Sequence, residues 1–413
     1  MSLKVLFQRS GSVLLVLAAV SAVAFGQKAG SPVPRQEKLL NGLKVLMWND
    51  PTTDKVTVKV RIHAGSAFDP QGKEGVMKLL ADSIFPNESA FEFFKDDLSG
   101  SLEVVSNYDY VQINATARSD KFLEMIETLS QQITDPGVDK EITEQLKKRL
   151  IAKVEELEKD PAYVADRAVA KRLFGTFPYG RPQAGTAESI QKIDFADLRF
   201  NKDRLFSADN ATVAISGNFS GDYAFKAARR LFGSWLKSDK KIPSTFKQPD
   251  EPDTTRLDIS MAAATAPEAR YAFRGVARGD KDYAASEILS EILKARNRGV
   301  LSSTSPLKNH ANTLPGYIVL RLNAAESSNA APKLAAAVTN EEFTTAKAAV
   351  LAEYHKRRVA DLWLDAETYK FSVADESKIF QNVTLADVQR VADNLAKNPV
   401  VSVLVGSPAE KTN

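Results

Sequence analysis

An apolar run from Val13 to Phe25, interrupted only by Ser21, follows an opening segment whose only charges are Lys4 and Arg9. The run is shorter than the ~20 residues needed to cross a bilayer. Small residues at Ala22, Ala24 and Gly26 suit signal peptidase, so the pattern predicts a secretory signal peptide over residues 1–26, either cleaved or retained as an anchor. No cysteine follows, which excludes a bacterial lipoprotein anchor. The expected destination is the bacterial periplasm or the extracellular space.

Beyond this segment the apolar period switches repeatedly between two and helical spacing. Asn41-Gly42, between two apolar stretches of Leu39 to Asn49, predicts a tight hairpin turn. Val56 to His63 alternates, with Val56, Val58, Val60 and Ile62 on one side and Thr57, Lys59, Arg61 and His63 on the other, the pattern of a half-buried strand. Gly65-Ser66 and Asp69-Pro70-Gln71-Gly72 break it, and Val76, Leu79, Leu80 and Ile84 then return at helical spacing. Strands are expected after Gly100, through Leu102 and Val104, and from Val111 to Ala117. Helices are expected over Asp120 to Ile133, Asp139 to Lys159 and Ala162 to Phe174, with Asp160-Pro161 stopping the second. Val213 to Ile215 forms a short buried strand.

Lysines, prolines and acids crowd the stretch from Ser238, which predicts a linker over 238–254 between halves at 36–237 and 255–408. The second half is expected to hold strands at Arg256 to Ser260, Arg270 to Gly275 and Val400 to Val405, and helices at Asp282 to Arg298, Asn340 to Asp361 and Thr384 to Leu395. Each half ends on a similar phrase, Val213-Ala-Ile-Ser-Gly217 and Val401-Ser-Val-Leu-Val-Gly406. The expected fold is α+β: two similar halves, each a mostly antiparallel sheet packed with helices.

Composition narrows the chemistry. The 413 residues hold no cysteine and three scattered histidines, His63, His310 and His355, which excludes thiol nucleophiles, disulfides and local zinc-binding histidine pairs. His63 is expected at the surface or facing a loop, His310 in a turn and His355 on a solvated helix face. A formal net charge of +3 offers no field for nucleic acid or an anionic membrane, so neither is an expected partner.

Several landmarks, in order, carry a resemblance over nearly the whole mature chain. They are Leu39-Leu-Asn-Gly-Leu-Lys-Val45, Ala64-Gly-Ser-Ala-Phe-Asp69 with Gly72-Lys-Glu-Gly75, Asp160-Pro161, Leu173-Phe174-Gly175, Pro178-Tyr179-Gly180, Gly185-Thr186 and Asn210-Ala211. Together they resemble the pitrilysin/insulinase family of zinc peptidases in its small bacterial, two-domain branch. The resemblance implies a clamshell subunit. Active members carry H-x-x-E-H on the helix that here spans Gly75 to Phe85, two histidines binding zinc and the glutamate polarising water. On that frame Lys78 stands at the first histidine, Ala81 at the general base and Asp82 at the second histidine. The third ligand position falls on Lys153, or on Glu155 or Glu156 if the count shifts by two.

The resemblance therefore implies a catalytically inactive subunit that holds no metal, with zinc in a sister subunit. Lys78 and Asp82 suit an i, i+4 ion pair. The family geometry suggests instead a bridge from Asp82 to Lys153 where zinc would sit. Active relatives also use an arginine and a tyrosine from the second half, for which Arg296 or Arg298 with Tyr317 are spatial candidates, although Leu314-Pro-Gly-Tyr317 also suits the start of a strand. Gly100, Ser101, Leu102, Glu103, Val104 and Val105 match the family's peptide-pairing edge strand, although Glu103 and Val104 depart from its usual residues. The implied function is a non-catalytic half of a peptide chamber completed by a zinc-bearing partner. The alternatives are a stand-alone peptide-binding or scaffold protein of the same fold and, in third place, an active zinc metalloendopeptidase with atypical ligands.

Overall fold

The computed structural model describes residues 32–238, 247–302, 306–323 and 336–407. The expected leader over residues 1–26 and the part of the expected linker over 239–246 lie outside the described residues. From residue 32 on, the described chain forms one compact unit containing two sheets.

The first sheet comprises β1 (Arg35–Lys38), β2 (Lys44–Asn49), β3 (Lys55–Ile62), β4 (Ser101–Ser106), β5 (Val111–Arg118) and β6 (Ala211–Gly217), in the order β1-β2-β6-β3-β5-β4. The second comprises β7 (Leu257–Ser260), β8 (Glu268–Arg274), β9 (Leu307–His310), β10 (Tyr317–Asn323) and β11 (Val401–Gly406), in the order β7-β11-β8-β10-β9. Without β1, the two orders are one plan: the last strand of each set inserts beside the first, parallel to it, and the other pairings are antiparallel. The two repeated phrases occupy the equivalent strands β6 and β11. Both halves are thus α+β, as the sequence pattern implies.

The helices of the first half are α1 (Val76–Ile84), α2 (Glu88–Asp96), α3 (Phe122–Thr134), α4 (Lys140–Leu157), α5 (Pro161–Phe174), α6 (Ala187–Gln191), α7 (Phe195–Leu205) and α8 (Gly221–Phe232). Those of the second are α9 (Tyr283–Arg296), α10 (Asn340–Lys356), α11 (Val359–Tyr369), α12 (Val373–Asn382) and α13 (Leu385–Leu395). Val56, Val58, Val60 and Ile62 pack on one core with Leu79, Leu80, Met125, Leu129, Leu146 and Leu150. Ile318, Leu320 and Leu322 pack on a second with Ile288, Leu289, Val388 and Val391.

Each sheet has a second face, and a helix from the opposite half covers it. Val164, Val169, Ala170 and Leu173 of α5 pack on Ala272, Val319, Val401, Val403 and Val405 of the second sheet. Ala360 and Leu364 of α11 pack on Leu46 and Ala214 of the first. This corrects the expectation for β3, because its polar side is buried too. Lys59 and Arg61 are 5% and 2% exposed, and they pair with Asp361 and Asp365 of α11. His63, expected at the surface, lies between Thr212 Oγ1 at 2.9 Å and Thr368 Oγ1 at 3.0 Å.

One helix expected over Asn340 to Asp361 is two. Arg357 and Arg358 adopt extended dihedrals between α10 and α11. Arg357 then reaches Asp365, and α11 turns away to lie on the first sheet. The described end of the expected linker runs beside α5, where the Asp253 amide donates to the Arg172 carbonyl at 3.0 Å. The buried Asp109 carboxylate joins both halves, accepting from the Thr313 amide at 3.2 Å, Tyr369 Oη at 3.3 Å and Tyr179 Oη at 3.4 Å.

Candidate peptide cleft and altered metal motif

Helix α1 begins at Gly75, whose φ of 111° is left-handed and whose Cβ, if present, would lie 2.9 Å from the Ala184 carbonyl oxygen. The Asp69 carboxylate accepts from the Gly75 and Met77 amides, both at 2.8 Å, and so satisfies donors that the first turn leaves open. Burial pushes the Asp69 carboxyl up to about 7 against the effect of those two bonds. Val76, Met77, Leu79, Leu80 and Ile84 fill the core. Lys78 and Asp82 remain on the opposite, partly exposed face.

On that face Lys78 Nζ and Asp82 Oδ1 form an ion pair, with the two side chains 27% and 31% exposed. Ala81, at the position of the catalytic base, is fully buried. The alternative bridge from Asp82 to Lys153 does not form. Asp139 caps α4 by accepting from the Ile142 amide at 2.7 Å, and Leu146, Leu150 and Val154 anchor it in the core, which leaves Lys153 exposed with no ion pair among the described residues. One helical turn already joins Lys78 to Asp82, so the local pair prevails over one spanning two helices. Glu155 is exposed, and Glu156 pairs outward with Lys159 at 2.7 Å. Among the described residues no three His, Cys, Asp or Glu side chains converge as a metal site. Two ammonium groups, a methyl group and one paired carboxylate do not suit a divalent cation.

Strand β4 is the last of its sheet, so its outer row of backbone N–H and C=O groups has no strand partner among the described residues. Gly100, just before it, lies tight against β5: a Cβ there would lie 1.8 Å from the Thr116 carbonyl oxygen. Leu102 is buried and Val104 packs on the core, whereas Glu103 is exposed and accepts from Asn114 Nδ2 at 3.0 Å. Ser101 and Val105 complete the expected edge, and Ser106 ends it.

Beyond Ser106 opens a cavity of about 390 Å³ between the halves, lined by Lys78, Tyr108, Tyr163, Arg167, Arg181 and Tyr317 among others. Tyr317 opens β10 as one reading expected, and the same side chain faces this cavity. No arginine accompanies it in the expected way, because Arg296 is held by Glu342 at 2.7 and 2.9 Å and Arg298 lines a different pocket. His310 also lines the cavity. Instead of occupying a turn it ends β9, stacked on Tyr317 with centroids 4.4 Å apart. Burial holds its imidazole neutral, depressed to about 3, and His63 is depressed to the same level chiefly by burial. His355 is exposed on the last turn of α10. Tyr108, Tyr163, Asp166 and Arg181 carried no signal in the sequence pattern, since they converge from separate elements.

Residues 44–187 match the sequence model of insulinase (peptidase family M16), and residues 192–313 match that of the peptidase M16 inactive domain. A probable mitochondrial-processing peptidase subunit beta from Arabidopsis thaliana is 22% identical over 277 residues, 65% of this chain and 52% of that protein. The non-peptidase homolog YmxG of Helicobacter pylori is 24% identical over 176 residues, 41% of this chain and 40% of that protein. The chain spans about half the length of the curated relatives it matches. A protease from Helicobacter pylori has the same fold, with a TM-score of 0.82 at 17% identity over 91% of this chain and 100% of that one. Matched in sequence over residues 44–187 and 192–313 and in fold over most of its length, the chain belongs to the insulinase family, peptidase family M16.

Proposed function

We propose that this protein is a non-catalytic subunit of an exported insulinase-like peptidase, forming half of a peptide chamber with a zinc-bearing sister subunit. One observation carries the reading: the motif face of α1 bears the Lys78–Asp82 ion pair over a buried Ala81, while the β4 edge beside it stays available for main-chain pairing. General-base catalysis commonly supplies ~10²- to 10⁴-fold, and the position that would supply it carries a methyl group. Strand addition needs no catalytic side chain, so peptide binding survives the loss of the motif. The match to an M16 inactive domain supports a non-catalytic role. The similarity to a protein named as a peptidase subunit supports assembly with a partner subunit.

Co-expression with an H-x-x-E-H-bearing chain from the same genome tests this. The expected result is a stable complex that cleaves a quenched fluorescent peptide, with zinc bound by the sister chain and no cleavage by this protein alone. Stoichiometric zinc and peptide hydrolysis in the purified single protein would overturn it. Export rests on the apolar pattern of residues 1–26, and N-terminal sequencing of the protein from a periplasmic fraction tests it.

A further inference from the structure

We propose that the cavity beside the altered motif is a carboxylate-binding subsite. A peptide laid along β4 would place an anionic group, its C-terminal carboxylate or an acidic side chain, against the Lys78 ammonium. This rests on the peptide-holding role of β4 proposed above and specifies what the peptide carries.

The wall charges support it. Lys78 from α1, Arg167 from α5 and Arg181 all line the cavity, and Ser106 at the end of β4 lines it with them. Their acidic partners Asp82, Glu158 and Glu74 lie outside that lining. Asp166 is the acid that does line it, and Arg270 and Arg321 already span that carboxylate. An entering group therefore meets three cations whose acidic partners lie outside the lining, and one acid already held by two arginines. The Arg181 guanidinium is held in place by donating to the Asp69 carbonyl at 2.9 Å and the Ala67 carbonyl at 3.3 Å. Tyr108, Tyr163 and the stacked His310 and Tyr317 line the same cavity and offer an aromatic surface for the apolar part of the ligand. A divalent cation at the motif would polarise a neutral carbonyl. An ammonium is a mobile point charge with three donors, and it forms its strongest hydrogen bonds with a carboxylate.

The test uses fluorescein-labelled Thr-Val-Thr-Val-Thr-Phe as a free acid, the same peptide as a C-terminal amide, and an amidated version with Asp replacing the last Thr. All are titrated against the full chain by fluorescence anisotropy. The free acid is expected to bind about tenfold tighter than the amide at low salt. K78M reduces that preference, whereas D82N, which releases Lys78 from its own partner, increases it. R167Q provides a second lowering variant if K78M fails to fold. Tight binding of the Asp-containing amide assigns the group to a side chain, and weak binding assigns it to the chain terminus; either supports the subsite if K78M abolishes the difference. Equal binding of acid and amides overturns the subsite and leaves peptide pairing at β4 intact. Binding of none of the three overturns both.

Discussion

Arg61 of β3 and Asp365 of α11 are joined by a bond of 2.8 Å between Nη1 and Oδ1, so the middle of the first sheet is tied to a helix of the second half. The guanidinium is 2% exposed, lies over the Tyr110 ring 3.8 Å from its centroid, and donates to Gln112 at 2.6 Å and Thr368 at 3.2 Å. Asp365 is also held by Arg357. A buried pair is costly to break from one side, because the remaining charge stays desolvated.

Asp365→Ala is therefore expected to lower stability by roughly 3–5 kcal/mol, read as a lower denaturant midpoint. The double variant Arg61→Met/Asp365→Leu is expected to cost less than the single one, since it removes both buried charges. If the double variant is the less stable, the pair contributes more than its desolvation penalty.

His63 predicts an acid sensitivity of defined sign. Its imidazole is depressed from 6.5 to about 3 by burial first, then by Arg61, Lys370 and Lys44. The unfolded chain takes up this proton near pH 6.5 and the folded one does not until about pH 3. Between those values the unfolded state binds more protons, so this contribution is complete above pH 6.5 and is lost as pH falls. His63→Gln, which keeps hydrogen-bonding capacity toward Thr212 and Thr368, is expected to lose stability less steeply over that window, by up to one proton in the linkage slope. Parallel slopes for the two proteins would contradict this.

Restoring the motif is expected to separate metal binding from catalysis. Lys78→His with Asp82→His places two imidazoles one turn apart on a partly exposed face and creates a weak zinc site, measurable by chelator competition, without hydrolysis. Adding Ala81→Glu puts a carboxyl group where exposure is zero and is expected to cost roughly 1–3 kcal/mol. Peptide cleavage by the triple variant alone would show that little besides these three residues separates the chain from an active enzyme.

Gly100→Ala is expected to displace the start of β4, because its Cβ would fall 1.8 Å from the Thr116 carbonyl oxygen. Overpacking of this kind costs about 1–3 kcal/mol, and peptide binding should weaken with it. Ser101→Ala, at an exposed neighbour, is expected to stay within about 0.5 kcal/mol of the parent. Unchanged peptide affinity in Gly100→Ala would remove β4 from the binding reading.

The sequence by itself determined the two-half α+β plan, most strand and helix positions, and the altered motif, because hydrophobic period, turn dipeptides and ordered landmarks are local properties of the chain. Asp160-Pro161 stops α4 and starts α5, with the Asp160 carboxylate accepting from the Ala162 amide at 2.9 Å, as local capping chemistry dictates. The ion pair of Asp82 with Lys78 is equally local, and it prevailed over the longer-range bridge for that reason.

Only the tertiary structure decided what covers the second face of each sheet. In β3 the alternation of Lys59, Arg61 and His63 with apolar neighbours signals one wet face, and polar residues that will later be paired carry the same pattern as residues left in water. Whether they are desolvated depends on α11, some three hundred residues away, as the Lys59–Asp361 pair at 2.5 Å shows. The cavity behind Lys78 has the same origin: β4, α1, α5 and β10 each contribute a side chain to it, and no period within any one of them encodes that meeting.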